Sequence, residues 1–295
     1  MSRIFYTLLL SSLLVACGPK QLEPDADFVC DNCEDWNLPQ APFRIYGGTW
    51  YVGTAGLSSI LIEAGEELIL IDGGLSQSAA VIDANIRSLG FDPKNISTLL
   101  VSHAHFDHAG GVAAIQRFTG ASVYSSIEGA KTLSSGELQP DDPQYLPGLT
   151  ANFPPIANVV AIKDGDVVTV ADVNVRAIYT PGHTPGGMSW SWESCVLDTC
   201  YQLVYADSLT AVSAQGFSFG ENPAAAQLID SADKISLLDC DILLSPHPFF
   251  FGMQDKLENR DEGNPFVNNV ACSIYAETAL GWLERRLRAE RGENQ

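Results

Sequence analysis

The sequence predicts an α/β protein of the α+β kind, in which two β-sheets pack face to face and helices cover their outer sides. Three observations predict this fold class. Runs typical of strands are followed by helical patterns, and the order of strands, helix, strand and helix occurs twice along the chain. Turns containing glycine separate the strands. Of the 295 residues, 46% are hydrophobic, so a single domain can bury one large core.

The first half opens with a meander of short strands. These strands are predicted over Phe43–Tyr46, Thr49–Gly53, Ser58–Glu63 and Glu67–Asp72. Apolar residues at helical spacing predict a helix over Gln77–Leu89, which Gly90 ends. A strand over Ile96–Ser102 and a helix over Val112–Phe118 complete this half.

The second half follows a long irregular segment, Gly136–Asn158. This segment is rich in Pro, Asp and Gln, so we expect a functional loop, with a merely solvated insertion as the alternative. Strands resume at Val159 and are then predicted over Val167–Val170, Val173–Tyr179, Met188–Glu193, Tyr201–Tyr205 and Ile242–Leu244. Helices are predicted over Ala224–Leu238 and Asn268–Arg288.

The first 40 residues are predicted to lie outside the folded domain. Residues 1–16 resemble a lipoprotein signal peptide, because Arg3 precedes an apolar run that ends in Leu14-Val15-Ala16-Cys17. This tetrapeptide is similar to the lipobox of bacterial lipoproteins, which implies lipidation of Cys17; an ordinary signal peptide is the alternative. Residues 17–40 are polar and rich in Asp and Pro, which predicts a flexible tether to a domain of residues 41–295. We expect a periplasmic monomer that contacts the outer membrane only through its lipid anchor.

Charge and cysteines limit the partners and the compartment. The net charge of -20 argues against a nucleic-acid partner, because phosphate would be repelled. Six cysteines remain if Cys17 is lipidated, and disulfides persist outside the cytoplasm. Nearness in sequence predicts the pairs Cys195–Cys200, Cys240–Cys272 and Cys30–Cys33. For the last pair, a C-x-x-C zinc or redox motif is the alternative.

All five histidines lie just after predicted strands. They occur in Ser102-His103-Ala104-His105-Phe106-Asp107-His108, Pro181-Gly182-His183-Thr184-Pro185-Gly186 and Ser245-Pro246-His247-Pro248. In an extended turn His103 and His105 project to one side, whereas Asp107 and His108 begin a helical turn, so the spacing predicts two groups of ligands. Imidazole and carboxylate ligands in sets of three, with one position left open, are typical of catalytic zinc. Two such ions can activate a shared water for attack on a carbonyl or phosphoryl group.

The chain from about Pro42 onward resembles the subclass B3 metallo-β-lactamases. The H-x-H-x-D-H motif marks their superfamily, and the segment Ala206-Asp207-Ser208-Leu209 together with the Cys240–Cys272 pair is similar to this subclass. The resemblance implies the αββα sandwich called the metallo-β-lactamase fold. It implies two Zn²⁺ ions, the first held by His103, His105 and His183, and the second by Asp107, His108 and His247.

The same resemblance implies an activity. A zinc-bound hydroxide, oriented by Asp107 as the catalytic residue, would hydrolyse the amide of penicillins, cephalosporins and carbapenems and so confer antibiotic resistance. Ser208 and Thr210 would contact the substrate. Some members have a tyrosine at the oxyanion site, but Ala211–Phe219 contains no tyrosine, so this role is left unassigned.

Two other functions stay open from the sequence. Lactonases, phosphodiesterases and thioesterases of the glyoxalase II type share the motif and place an aspartate between the metals, as Asp207 could be. Ser208 next to it, the export signal and the lack of an added carboxy-terminal helical domain argue against them. A zinc-binding lipoprotein without catalytic activity is the third hypothesis, although all six candidate ligands are present.

Overall fold

The computed structural model describes residues 21–148, 153–260 and 263–293, and the predicted signal peptide and Cys17 lie outside them. The described strands form a seven-stranded sheet in the order β1-β2-β3-β4-β5-β6-β7 and a five-stranded sheet in the order β12-β11-β10-β9-β8. Each half of the chain supplies most of one sheet, but the strand at Val159, predicted as the first of the second half, pairs with β6 and joins the first sheet. The two sheets share a buried core and helices lie outside them, so the predicted αββα sandwich is confirmed.

The first sheet begins as an antiparallel meander and continues as parallel strands from β4 to β7. Its strands are β1 (Phe43–Tyr46), β2 (Thr49–Tyr51), β3 (Ile60–Ala64), β4 (Glu67–Ile71), β5 (Ile96–Leu100), β6 (Ser122–Ser126) and β7 (Val159–Ile162). The serine-rich strand β6 was missed by the sequence analysis. Its side chains show little apolar alternation, and parallel pairing with β5 and β7 satisfies its backbone instead.

The second sheet is antiparallel except for its last pair, β11 with β12. Its strands are β8 (Val167–Val170), β9 (Val173–Tyr179), β10 (Met188–Val196), β11 (Thr199–Tyr205) and β12 (Ile242–Leu244). β10 and β11 run further than predicted and meet in a tight hairpin, in which Cys195 lies opposite Cys200.

Eight helices are described in these ranges, besides short 3₁₀ turns. They are α1 (Cys33–Trp36), α2 (Ser78–Ser88), α3 (Phe106–Ala109), α4 (Val112–Thr119), α5 (Ile127–Ser135), α6 (Pro223–Ser236), α7 (Met253–Glu258) and α8 (Ala271–Glu290). Among the described residues, no helix has the length and apolar composition needed to cross a bilayer. The short helices α1 and α7 and the helix α5 were not predicted, whereas α3 is the helical turn expected at Asp107 and His108.

The first sheet is buried on both faces. Ile60 and Ile62 of β3 pack with Trp190 and Trp192 of the second sheet, whereas Leu61 between them joins the cluster under α2 and α4. Shifting a strand by one residue would exchange these faces, so the core fixes the strand register. A fixed register in turn holds the loops at the strand ends in place.

Residues 21–40 differ from the predicted flexible tether, because they pack against the domain. Leu22 and Cys33 are buried. The Phe28 ring stacks on Phe106 with 4.2 Å between centroids, and the Thr54 hydroxyl donates to the Trp36 carbonyl at 2.6 Å. Phe28, Cys33 and Trp36 share one small apolar cluster with Leu57, Leu75 and Phe106, whereas Leu22 packs in the cluster under α2 and α4. A segment without apolar period can therefore still be ordered by tertiary contacts.

The structure joins the six described cysteines in three disulfides, namely Cys30–Cys33, Cys195–Cys200 and Cys240–Cys272. The Cys240–Cys272 disulfide connects the segment just before β12 to the first turn of α8, and both cysteines lie in the buried core. The carboxy-terminal helix is therefore covalently attached to the second sheet.

Candidate metal centre

Loops at the ends of strands from both sheets meet at one edge of the sandwich. His103 and His105 follow β5, and Asp107 and His108 lie on α3, for which His105 is the residue at the amino-terminal cap. The other two histidines belong to the second sheet: His183 lies between β9 and β10, and His247 directly precedes the 3₁₀ turn after β12. The fold thus brings together all six predicted ligands from three segments that are far apart in sequence.

The predicted first set consists of His103, His105 and His183. One ring nitrogen from each lies within 4.8 Å of the other two, and all three side chains are buried. Their ring centroids are 4.8 to 5.0 Å apart. This spacing allows three imidazoles to bind a single ion from three sides.

The predicted second set is organised around Asp107. Its Oδ2 lies 3.2 Å from His108 Nε2 and 3.5 Å from His247 Nε2. Ligand atoms of His103, Asp107 and His108 also lie within 4.8 Å of one another, so the two sets adjoin. Although burial raises the pKa of Asp107, the adjacent His108 and His247 hold it well below its usual range, and the carboxylate is ionised.

The donor atoms fit a metal ion such as zinc. His103 Nε2 is buried and has no hydrogen-bond partner among the described residues, which is costly for a ring nitrogen unless an ion binds there. Burial lowers the pKa of His103 well below its usual range, and it lowers the pKa of His183 to about 3; nearby histidines reinforce both shifts. Both rings are therefore neutral at pH 7, which is the form that binds metal.

The outer nitrogen of His103 contacts Asp207, which one hypothesis places between the metals. Asp207 Oδ1 lies 2.7 Å from His103 Nδ1, and the carboxylate is 0% exposed. It thus lies behind the ring, on the side away from His103 Nε2. Such an outer carboxylate fixes the tautomer and orientation of a ligand histidine. The geometry gives Asp207 a positioning role and argues against a bridging one.

Other outer contacts come from residues that the sequence did not single out. In the predicted loop Gly136–Asn158, Asp142 lies 3.2 Å from His105 Nε2, and Gln144 Nε2 lies 3.3 Å from His105 Nδ1. The only sequence signal was the irregular, acidic composition of that loop. His247 Nδ1 lies 3.2 Å from the Gly56 carbonyl. Asp142 and the Gly56 carbonyl can orient these rings before any ion binds, whereas Gln144 contacts the His105 nitrogen that is left for an ion.

Asp72 supports the turn that carries His103. Its oxygens accept hydrogen bonds from the Ser102 backbone N–H at 2.8 Å, the Ser102 hydroxyl at 2.7 Å and the Tyr205 hydroxyl at 2.7 Å. Its backbone has a φ of 60°, in the left-handed region, which is uncommon for a non-glycine residue. This buried network links β4, β5 and β11 directly beneath the ligands.

A cavity of about 510 Å³ opens beside the ligands. One wall is aromatic and is formed by Trp36, Phe249, Phe250 and Trp282. The other wall is polar and includes Asn32, Gln144, Ser208, Thr210 and Arg286. A volume of this size accepts a drug-sized molecule. The sequence analysis missed Trp36, because it lies in the supposed tether, and Arg286, because it lies on a helix far along the chain.

The two predicted substrate contacts both line this cavity. Ser208 is 2% exposed, and its hydroxyl has no hydrogen-bond partner within the described ranges. The Thr210 hydroxyl lies 3.0 Å from His183 Nδ1, and the Thr210 carbonyl lies 2.9 Å from the same atom. Thr210 therefore also orients a ligand histidine, whereas the Ser208 hydroxyl is available to a bound molecule.

Comparisons with known proteins agree with this geometry. A family model described as the metallo-beta-lactamase superfamily matches residues 53–247. The chain is similar to the solved structure of Rm3 metallo-beta-lactamase, with 43% identity, a TM-score of 0.85, and coverage of 89% of this chain and 99% of that one. It is also similar to MEM-A1, a subclass B3 metallo-beta-lactamase from a soil metagenome library, with 42% identity, a TM-score of 0.84, and coverage of 88% and 100%.

A curated relative is matched over a shorter stretch. The chain is 31% identical over 147 residues to an atrochrysone carboxyl ACP thioesterase of Aspergillus fumigatus, and this stretch covers 49% of the chain and 39% of the relative. The chain thus spans well under two thirds of that protein's length.

Proposed function

We propose that this chain, which belongs to the metallo-β-lactamase superfamily, is a β-lactamase of subclass B3 that hydrolyses the amide of β-lactam antibiotics and confers resistance to them. One observation carries the choice of substrate. The Asp207 carboxylate lies behind His103, while the neighbouring Ser208 presents an unpartnered hydroxyl to the cavity. In an enzyme with an aspartate between its metals, the aspartate carboxylate itself would face the metal centre.

Two zinc ions would be held by His103, His105 and His183, and by Asp107, His108 and His247. When bound, they would supply an acidified water and an electrophile for the carbonyl oxygen. The protein's own contribution is orientation. Neutral imidazoles are aimed by their outer hydrogen bonds.

Asp107 would also orient the attacking water, because its ionised oxygen can accept a hydrogen bond from that water. Ser208 can donate to the substrate carboxylate or carbonyl. The aromatic side chains of Trp36, Phe249 and Phe250 can pack against apolar substituents of the substrate. Phe249 is 66% exposed, so much of its ring lies at the surface.

The test is a side-by-side assay with a penicillin, a cephalosporin, a carbapenem, a lactone and a thioester. We expect β-lactam hydrolysis that a chelator abolishes and added zinc restores. Asp107→Asn should lose at least a hundredfold in kcat, whereas Asp172→Asn, an exposed control in the turn between β8 and β9, at the opposite end of β9 from His183, should match the parent protein. Turnover of the lactone or the thioester without β-lactam turnover would contradict the proposal.

We propose further that the protein is exported and anchored by a lipid on Cys17, and that it acts as a periplasmic monomer. The support is the sequence Leu14-Val15-Ala16-Cys17 after an apolar run. Labelling with a fatty-acid analogue should mark the parent protein and not Cys17→Ser. Equal labelling of both proteins, or none in either, would contradict the anchor without bearing on catalysis.

A further inference from the structure

The substrate cavity contains one guanidinium group. Arg286, in the last turns of α8, is the only Lys or Arg that lines the cavity within the described part of the chain. The whole protein carries a net charge of -20, so a cation at this point is unusual for the molecule. Its side chain is 32% exposed, which leaves it accessible from the cavity but partly shielded from solvent.

Neighbouring groups hold Arg286 in place. Its Nε donates to Glu290 Oε1 at 2.7 Å, and its Nη2 donates to the Ser213 hydroxyl at 2.9 Å and to the Phe217 carbonyl at 3.1 Å. The guanidinium carbon also lies 5.4 Å from the centroid of the Phe219 ring. A long, flexible side chain held by four contacts loses little entropy when it binds a ligand.

Glu290 holds the same loop from the other side. Its carboxylate accepts from the Phe219 and Gly220 N–H groups at 3.0 and 2.9 Å and from the Ser218 hydroxyl at 2.9 Å. The loop after Thr210, which forms part of the cavity wall, is thus attached to α8 through both Arg286 and Glu290.

These contacts use one edge of the guanidinium. Nη1 makes no hydrogen bond to the residues that the structure describes, so two N–H donors are available. Every group that could face them on the polar wall, including Ser208 and Thr210, is uncharged apart from the metal ligands. A carboxylate is an anion that such donors can bind through charge-assisted hydrogen bonds.

We infer that Arg286 recognises the carboxylate of the bound substrate and so determines specificity for anionic ligands. This inference rests on the proposed function, since it assumes that the substrate binds beside the six ligands. Arg286 acts in binding and does not enter the hydrolytic step. Glu290 is its positioning residue.

The experiment uses two probes that differ at one group, N-(3-mercaptopropanoyl)proline and its methyl ester, in which a methyl group masks the carboxylate. Both offer a thiol to the zinc centre and an amide like that of the substrate, and only the acid carries a carboxylate. Calorimetry on the zinc-loaded protein gives both dissociation constants without depending on turnover. Arg286→Gln should weaken binding of the acid about tenfold and of the ester less than twofold, as expected for one charge-assisted hydrogen bond. Arg286→Lys should recover part of the difference.

Arg288→Gln is the matched control. It removes the same charge from the same helix, but Arg288 pairs with the exposed Glu284 and does not line the cavity. It should leave the ratio of the two dissociation constants unchanged. Equal weakening of acid and ester in Arg286→Gln would show a purely structural role, and unchanged binding of both probes would also overturn the inference. If neither probe binds the zinc-loaded parent protein, the cavity does not take up a ligand of this kind and the inference fails, whereas the chelator-sensitive β-lactam assay tests the proposed function separately.

Discussion

Replacing Asp207 by Asn tests whether an outer carboxylate controls the first metal site. The substitution keeps the shape of the side chain but removes its charge. Shape matters here, because a Cβ added at Gly187 would come within 2.5 Å of Asp207 Oδ2, so the pocket fits its present occupant closely. Asn can therefore occupy the pocket, while the His103 Nδ1–H loses an ionised acceptor at 2.7 Å.

The size of the effect follows from burial. Burial raises the pKa of Asp207 well above its usual range, so its ionised form depends on a nearby positive charge, which a metal ion bound to His103 would supply. Mutation of an outer partner of a ligand histidine lowers metal affinity about 10- to 100-fold. Since each tenfold change corresponds to about 1.4 kcal/mol, the expected loss is about 1.4 to 2.8 kcal/mol.

Competition with a chromophoric chelator measures the zinc affinity directly. We expect the site containing His103 to lose the zinc affinity stated above. The zinc affinity of the other site should change little. Asp142→Asn should have a smaller effect, because its distance to His105 is 3.2 Å and its geometry is looser. Zinc affinity within twofold of the parent for Asp207→Asn, in a protein with an unchanged circular dichroism spectrum, would refute the assigned role.

Three further predictions concern stability. Replacing both Cys240 and Cys272 by Ser, which opens a link between residues 32 apart, should lower the free energy of unfolding by about 3 kcal/mol in urea; a change below about 1 kcal/mol would contradict the entropic argument. Tyr205→Phe should cost about 1.5 to 3 kcal/mol, because buried Asp72 loses a hydrogen bond; an unchanged denaturation midpoint would refute this. Burial raises the pKa of Glu290, but the hydrogen bonds that it accepts lower it from 4.5 to about 2. Its stabilisation is therefore complete above about pH 4.5 and is lost as the pH falls toward 2, so the stability difference between the parent and Glu290→Gln should shrink over that range. A difference that stays constant from pH 5 to 2 would show that ionisation of Glu290 contributes nothing.

Local spacing in the sequence was enough to predict most strands and the ligands. β1, β8, β9 and β12 have the predicted bounds. Alternating apolar residues indicate a strand with one buried face, and a short continuous apolar run indicates a strand buried on both faces. Strand β6 gave no such signal, since two neighbouring strands stabilise it through the backbone. His103 and His105 could be identified as ligands from the sequence, because side chains two positions apart in an extended turn project to the same side.

The sequence by itself therefore determined the sandwich, the six candidate ligands and the family resemblance, because each of these depends on short motifs and local periodicity that can be identified one segment at a time. Only the tertiary structure decided that residues 21–40 pack on the domain, that Asp207 lies behind His103, and that Arg286 enters the cavity. Trp36 lies 5.3 Å from His247 between ring centroids, although almost the whole domain separates them in sequence. Such contacts depend on how distant strand ends meet, and no local periodicity encodes that meeting.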